Sequence, residues 1–574
     1  MVKEQVGKNG RYPELTAGLK AVRGYFGFAA LFSAAINLLL LVPIIYMLQV
    51  YDRVLSSGSL STLAMLTLLM VFLMTAMGGF EWVRSAIMIA ASNRLEANLR
   101  RRVADATFKR ALLSGGNASS SQALNDLAQL RQYLTGSSLF AFFDTPWVPI
   151  YVLMMFLFHP WFGVGALIAI AAMLGLAYWN EKATNGKMQE ANRRNSAVIS
   201  SVNNNLRNAE VIAAMGMENN IHTRHQVAAD EVMALQSDAS QQASIISSTS
   251  KTFRIVTQSL MLGMGALLAL EHQVSPGMMI AGTLLLSRAL APIDQMVASW
   301  RGFSVARAQY DRLGELLEKV PPESASMPLP APKGKLTAEQ IVVIPPGASA
   351  PVLKGISFEL LPGEALGVVG PSASGKSSLA RALLGIWPVR NGTVRLDGAE
   401  VSSWNRQELG PYLGYLPQDI ELFDGTIAEN ISRFGEADAE LVVAAASMAG
   451  VHDLILHLPQ GYDTVIGASG GMLSGGQRQR IGLARAVYGH PRLVVLDEPN
   501  SNLDDQGERE LVEAVRRLKA AGSSVVVISH RTLVLHSMDQ MLVLKEGMQI
   551  QYGPRDQVLG KLMGVGQLNK PATS

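Results

Sequence analysis

The chain has 574 residues, of which 49% are hydrophobic and only 17% charged, and its mean hydropathy is +0.21. So little charge excludes an ordinary water-soluble protein and points to a membrane portion, while the length exceeds one ordinary domain. A net charge of +3 argues against a nucleic-acid partner, and the lack of cysteine excludes disulfides, cysteine metal sites and thiol nucleophiles.

The first 23 residues are polar, and the apolar stretch after them is too long for the core of a cleaved signal. It reads as a retained membrane helix. A bilayer core needs about 20 apolar residues in helical form. Gly24 to Tyr51 and Val54 to Phe80 are free of charge, and Leu139 to Phe158 is interrupted only by Asp144. Trp161 to Trp179 follows after a tight turn at His159-Pro160. Ile255 to Leu270 and Gln273 to Ser287 are shorter, and span only if Lys251, Arg254 and Arg288 snorkel or face the protein interior. A buried hairpin is the alternative for that last pair. The expected spans are 24–50, 58–82, 139–158, 161–180, 252–271 and 274–296.

Basic residues orient the spans. Lys3, Lys8, Arg11, Lys20 and Arg23 precede the first, Arg100, Arg101, Arg102, Lys109 and Arg110 follow the second, and Lys182, Lys187, Arg193 and Arg194 follow the fourth. The short odd-numbered loops carry only Arg53, beside Asp52. Both termini and both long connections are therefore expected on the cytoplasmic side. Leu95 to Leu113 and Met188 to Asn219 mix apolar and charged residues at helical spacing, so the spans are expected to continue as tall amphipathic helices. Their tips, near Ser119 to Gln129 and Asn205 to Met217, are candidates for contacting the second domain. Asp144, Arg288 and Asp294 are candidate path residues or markers of the membrane edge.

Seven prolines between Pro321 and Pro346 break any helix, which places a domain boundary near 325. The expected division is a transmembrane domain over 1–325, a linker over 326–335 and an ATP-binding domain over 336–574. Ala365–Val369, Leu493–Leu496 and Val525–Ile528 are buried-strand signals of the parallel kind.

Four motifs carry chemistry there. Gly370, Pro371, Ser372, Ala373, Ser374, Gly375, Lys376 and Ser377, with Ser378 after them, form a phosphate loop between a strand and a helix. Its backbone N–H groups curl round phosphates, Lys376 reaches the β- and γ-phosphates, and Ser377 offers its hydroxyl to Mg²⁺. A solvated Gly/Ser turn is the plain alternative. The run Leu493 to Leu496 ends in Asp497 and Glu498, which suit a Mg²⁺ partner and a general base, or a solvated strand cap. Ser474, Gly475, Gly476 and Gln477 open a basic helix carrying Arg478, Arg480 and Arg485, which reads as an anion-binding N-terminus or an ordinary cap. His530 ends the strand Val525–Ile528.

These motifs stand in the order of the ABC ATPases, which the chain resembles from Leu336 to Gln557. The resemblance implies that Leu473 to Gln477 is the ABC signature and His530 the switch histidine. It also implies that Gln418, in Leu416-Pro-Gln-Asp419, joins the Mg²⁺ shell, and that Ser501 to Asp504 crosses a dimer interface. Catalysis would fall to Glu498, His530 and Gln418, metal binding to Ser377, Gln418 and Asp497, and nucleotide contact to the phosphate loop, the signature and Asp504. ATP and Mg²⁺ are the implied cofactors, and two copies sharing two ATP sites are the implied assembly. Two departures stand out. Ile341 to Pro346 lacks the family's adenine-stacking aromatic, and Ile466 to Gly471 lacks its glutamate.

The fold class implied is a multidomain membrane protein, a six-helix all-α ABC-exporter domain followed by an α/β P-loop ABC ATPase domain. Within exporters, Tyr46 to Leu55 with Ser59 to Leu63, Phe143 to Ile150, Phe158 to Trp161 and Asp497 to Asp504 resemble bacterial type I secretion exporters of alkaline proteases, lipases and RTX proteins. With 23 residues before the first span, no N-terminal peptidase domain is expected, as in the subgroup whose clients keep a C-terminal signal. The resemblance implies a multi-pass protein of the bacterial inner membrane, surrounded by membrane lipids. The implied partners are a periplasmic membrane-fusion adaptor, a TolC-like outer-membrane channel and a secreted client. A homodimeric lipid or drug flippase is the rival reading. A regulator with a dead cassette is a third, and intact Lys376, Glu498 and His530 oppose it.

Overall fold

A computed structural model describes residues 12–114, 121–136, 139–322, 328–467 and 473–560. It divides into two compact units, with the main break between Pro321 and Pro322, where the run of prolines begins.

The first unit is helical. Six helical stretches among the described residues are long and apolar enough to cross a membrane: Arg23–Ser57, Leu60–Leu113, Phe140–Phe158, Pro160–Leu206, Glu218–Leu270 and Pro276–Trp300. The last pair is therefore among the helices long and apolar enough to span. Helices of 54, 48, 53 and 44 residues (Leu60–Leu113, Pro160–Arg207, Glu218–Leu270, Pro276–Lys319) run well past a bilayer's thickness. His159 is extended between two helices and its ring accepts the Trp161 N–H, so His159-Pro160 is the expected turn.

Two spans expected as single helices are interrupted. The first runs Arg23–Leu39, restarts at Val42–Gln49, and passes through a π-turn at Val50–Val54. Pro43 removes a helical donor and fits only a first turn, so the helix starts again there. The third reads Phe140–Asp144, a 3₁₀ turn Thr145–Trp147 and Val148–Phe158, because Pro146 and Pro149 each claim a first-turn position.

Charged groups tie these helices together. Arg84, almost fully buried, donates to the Asp144 carboxylate at 3.3 Å and the Ser33 hydroxyl at 2.9 Å, and lies over the Phe140 ring. Asn37 also donates to Asp144 (2.8 Å) and accepts from the Tyr151 hydroxyl. Arg254 pairs with Asp294 at 2.9 Å. Asp144 and Asp294, candidates for a path, are thus internal ties in this chain. At the other end of the first span, Asp52 accepts the Ser275 hydroxyl (2.6 Å) and the Gly277 N–H (2.9 Å), capping the last helix.

The first expected tip is largely a helix, Gln122–Thr135, packed on the last long helix through Leu127 and Leu130, with Arg312 bidentate to Asp126 at 2.7 and 2.9 Å. Residues 115–120 lie outside the described residues. The second tip holds the short helix Ala209–Ala214, in which Val211 is exposed, as are Leu206 before it and Met215 after it.

The second unit is α/β. Its main sheet has the order Met548–Pro554, Gln540–Lys545, Ala365–Val369, Ser524–Ile528, Leu493–Asp497, Leu413–Leu416. The first pair is antiparallel and the rest parallel. Every residue of Leu493–Asp497 and Ser524–Ile528 is buried, which explains why these central strands read as unbroken apolar runs. A smaller antiparallel sheet of Leu336–Val343, Leu353–Leu360, Val389–Leu396 and Ala399–Glu400 shares a core with one face through Leu366, Leu493 and Val526.

Candidate functional site

Register brings the motifs together. Val368 pairs with Ile528, Ile528 with Asp497, and Leu416 with Leu496, so four parallel strands end at one edge. The phosphate loop, His530, Asp497-Glu498 and Gln418 each follow one of those ends, at the place where open α/β sheets bind ligands.

The phosphate loop depends on two left-handed positions. Gly370 has φ +159° and Gly375 φ +97°. A Cβ at Gly370 would stand 2.2 Å from the Leu544 carbonyl oxygen, and one at Gly375 2.7 Å from Leu353. Ala373 also adopts a positive φ at the exposed crest beside Pro371 and Ser372. Such a turn points successive N–H groups into one concavity. Lys376 opens the helix Lys376–Leu383, which also holds Ser377 and Ser378, and its ammonium donates to the Gly370 and Pro371 carbonyls at 2.8 and 3.1 Å. Burial holds its pKa below the ordinary lysine value, partly offset by Glu498 and Asp497. Ser374 is buried and its hydroxyl has no partner.

Asp497 is 2% exposed; burial raises its pKa, against a hydrogen bond from Ser377. Its Oδ1 has no hydrogen-bond partner. A buried carboxylate oxygen left open beside a serine hydroxyl fits Mg²⁺, which binds through one or two protein oxygens plus substrate phosphate. No cluster of three or more His, Asp or Glu among the described residues forms a protein-only metal cage. Glu498 has φ +49°, a strained conformation for a non-glycine, and its N–H donates to the Ile528 carbonyl at 2.9 Å. That twist turns its side chain off the strand end, and His530 Nε2 lies 3.6 Å from its Oε1. Gln418 is exposed on the loop two residues beyond its strand.

Ser474 caps the helix Gly475–Val487 by a reciprocal box: its hydroxyl accepts the Gln477 N–H and its N–H donates to Gln477 Oε1 at 2.8 Å. A Cβ at Gly476 would stand 2.8 Å from the Asn502 carbonyl oxygen, so glycine is required there. Two of the helix's basic residues have partners within the unit. Arg480 pairs with Asp504 (3.2 Å) and Glu510 (3.4 Å), and Arg485 donates to the Glu421 carbonyl and lies over the Phe423 ring. Asp504, expected to touch nucleotide, here also caps Asp505–Ala520 by accepting the Gly507 N–H. The glutamate-free stretch at Ala468 to Gly471 lies outside the described residues.

Two residues that the motifs did not single out organise this edge. Gln479, 1% exposed, donates to the Glu498 and Pro499 carbonyls and accepts from the Ser501 hydroxyl and the Asn502 amide. It ties the signature helix to the chain leaving the carboxylates. Asn500 accepts the Ser529 hydroxyl at 2.8 Å, fixing the residue before His530. Polar residues in regular helical or turn positions gave no periodic signal; only a glutamine on a helix's buried face could have drawn attention to Gln479.

Comparison with known proteins agrees with this geometry. Residues 353–501 match the ABC transporter family model and residues 24–292 that of the ABC transporter transmembrane region. The chain is 42% identical to the type I secretion system ATP-binding protein PrsD of Rhizobium meliloti, over 98% of this chain and 97% of that one. It is 27% identical to the alpha-hemolysin translocation ATP-binding protein HlyB of Escherichia coli, over 92% of this chain and 75% of that one. A solved bacterial Atm1-family ABC exporter with ATP bound shares the fold, with a TM-score of 0.79 at 20% identity, covering 96% of this chain and 99% of that one. The chain is an ATP-hydrolysing ABC transporter and belongs to the family of type I secretion system ATP-binding proteins.

Proposed function

We propose that this chain is the inner-membrane ATPase of a type I secretion system and exports a protein client with an uncleaved C-terminal signal. Its near full-length identity to a type I secretion ATP-binding protein carries this reading. Two copies pair head to tail, so that each ATP lies between the phosphate loop of one and the Ser474–Gln477 signature of the other. Lys376 and the loop N–H groups hold the phosphates. Glu498 orients and deprotonates the attacking water, and His530, 3.6 Å away, steadies the charge that develops. Ser377, Asp497 and Gln418 would hold Mg²⁺, which neutralises charge on the transferring phosphate when bound. Asp504 supports the interface loop.

Both termini face the cytoplasm. The client is of the RTX protease or lipase type, and a periplasmic adaptor and a TolC-like channel continue the path outward. The test expresses this chain with an adaptor, an outer-membrane channel and an RTX-type client in a bacterium lacking its own system. Secretion to the medium should need all three and the client's C-terminal segment, and should stop with Glu498→Gln. Strong ATPase stimulation by purified lipids, with none by the client or its C-terminal peptide, would replace this reading with a flippase.

A further inference from the structure

The signature helix Gly475–Val487 is held at its far end by a side chain that belongs to none of the motifs. The last carbonyls of a helix have no donor within it. Here Arg433, two residues past the short helix Ile427–Ile431, supplies them. Its Nε donates to the Arg485 carbonyl at 3.1 Å, and one Nη2 donates to the Ala486 and Tyr488 carbonyls at 3.2 Å each. The other terminal nitrogen donates to the Gly410 carbonyl at 2.9 Å. Gly410 opens the turn Gly410–Tyr412 before the strand Leu413–Leu416, and that strand delivers Gln418. One planar fork therefore grips both the end of the signature helix and the start of the Gln418 strand. No carboxylate among the described residues pairs with Arg433, and burial, with Arg485 adding to it, holds its pKa below the ordinary arginine value. A cation is favoured at a helix C-terminus, where the backbone dipoles end negative.

The backbone is strained to make this grip. Arg433 and Phe434 have φ +60° and +59°, two consecutive left-handed positions without glycine, which persist only where the surroundings hold them. The Phe434 ring stands edge-on to Phe423 at 5.9 Å. Phe423 lies under the Arg485 guanidinium, and Arg485 donates to the Glu421 carbonyl at 3.2 Å. Asn430, fully buried, accepts the Phe423 N–H and donates to the Phe423 carbonyl, both at 2.9 Å. The Gln418 segment is thus bound to the end of the signature helix on both sides, at Gly410 before it and at Glu421 and Phe423 after it. Between them the strand lies directly on the helix end: a Cβ at Gly414 would stand 2.3 Å from the Ala486 carbonyl oxygen.

We propose that Arg433 is a positioning residue for ATP hydrolysis: it fixes where the signature helix lies against the strand that delivers Gln418, and so where Ser474 stands; this rests on the reading in which the signature completes an ATP site. The helix has 13 residues and is about 20 Å long, so a shift at its held end reaches Ser474 at the other. The test uses the full chain in lipid nanodiscs. Arg433→Ala should lower kcat about tenfold, since misplacement of a contacting group by about 1 Å can cost more than that. Arg433→Lys keeps the charge without the fork and should fall between Ala and Arg. A fluorescent ATP analogue should bind both variants as tightly and in the same stoichiometry as the unaltered chain, because none of the Arg433 acceptors lies in the phosphate loop. That stoichiometry also counts the folded chains. Methylguanidinium added to Arg433→Ala should restore most of the lost kcat and do nothing for Glu498→Gln. Unchanged kcat in Arg433→Ala overturns the assignment. So does a loss of kcat that follows a loss of bound nucleotide and is not restored by methylguanidinium, which marks a stability role alone. Either result leaves the shared ATP site standing. That site fails if Ser474→Arg, which alters the signature itself, keeps full turnover, and Arg433 then has nothing to position.

Discussion

At the scale of single residues, the ATPase edge is held by groups that are replaceable one at a time. Glu498→Gln keeps the shape of the base but not its proton affinity. Steady-state ATPase should fall by on the order of 10²-fold or more, while nucleotide binding persists. Turnover near that of the unaltered chain would remove Glu498 from the role. Gln479→Leu should leave the Glu498 and Pro499 carbonyls without their donor inside the core. An unmet buried polar group costs about 1–3 kcal/mol, so the thermal midpoint of the ATPase unit should drop, and hydrolysis with it. Unchanged stability and turnover would show that the network is incidental. Ile344 stands half-buried after the strand Leu336–Val343, where an aromatic was expected from the family. Ile344→Tyr should tighten ATP binding in a direct titration, by about 0.5–1.5 kcal/mol of ring stacking.

At the scale of elements, the membrane helices are joined by a few polar contacts that their apolar surfaces cannot supply, since lipid is as apolar as leucine. Asp144→Leu should leave Arg84 buried and uncompensated, a loss of about 3–5 kcal/mol. Arg84→Leu added to Asp144→Leu should restore much of that loss, as measured by thermal unfolding in detergent. If the double variant is no better than the single, the pair is not the tie. The same reasoning explains the helix breaks. Pro43, Pro146 and Pro149 each take a first-turn position, so continuous apolar sequence becomes several helices in series without leaving the span.

At the scale of the whole molecule, each chain carries one phosphate loop and one signature, and the proposed function needs two of each. Chains with Lys376→Ala mixed with chains bearing Ser474→Arg should form heterodimers with one composite site free of both changes. Such mixtures should bind and trap nucleotide at one site per dimer, whereas each parent is impaired at both. If the same stoichiometry appears when the doubly altered chain is paired with unaltered chain, the sites do not cross between copies.

Much of this was legible in the sequence because the signals are local. Charge-free runs longer than a bilayer need no partner to announce a span, and Gly370 and Gly375 mark two of the phosphate loop's three positive-φ positions. The carboxylate strand reads as buried because a parallel strand covered on both faces has no polar side. What stayed hidden depends on contacts far apart in the chain. Nothing local joins Arg84 to Asp144, 60 positions away, or Asp52 to Gly277, 225 positions away. Nor does spacing reveal that Arg480 pairs with Asp504 and Glu510, or that Arg485 donates to the Glu421 carbonyl. Hydrophobic periodicity and turn chemistry are properties of neighbours, so the sequence alone determined the spans, the strand types and the motif residues. Which polar groups meet, and which, like Asn180 and Trp300, are left unmet, is decided only when distant helices pack and the buried surface closes over them.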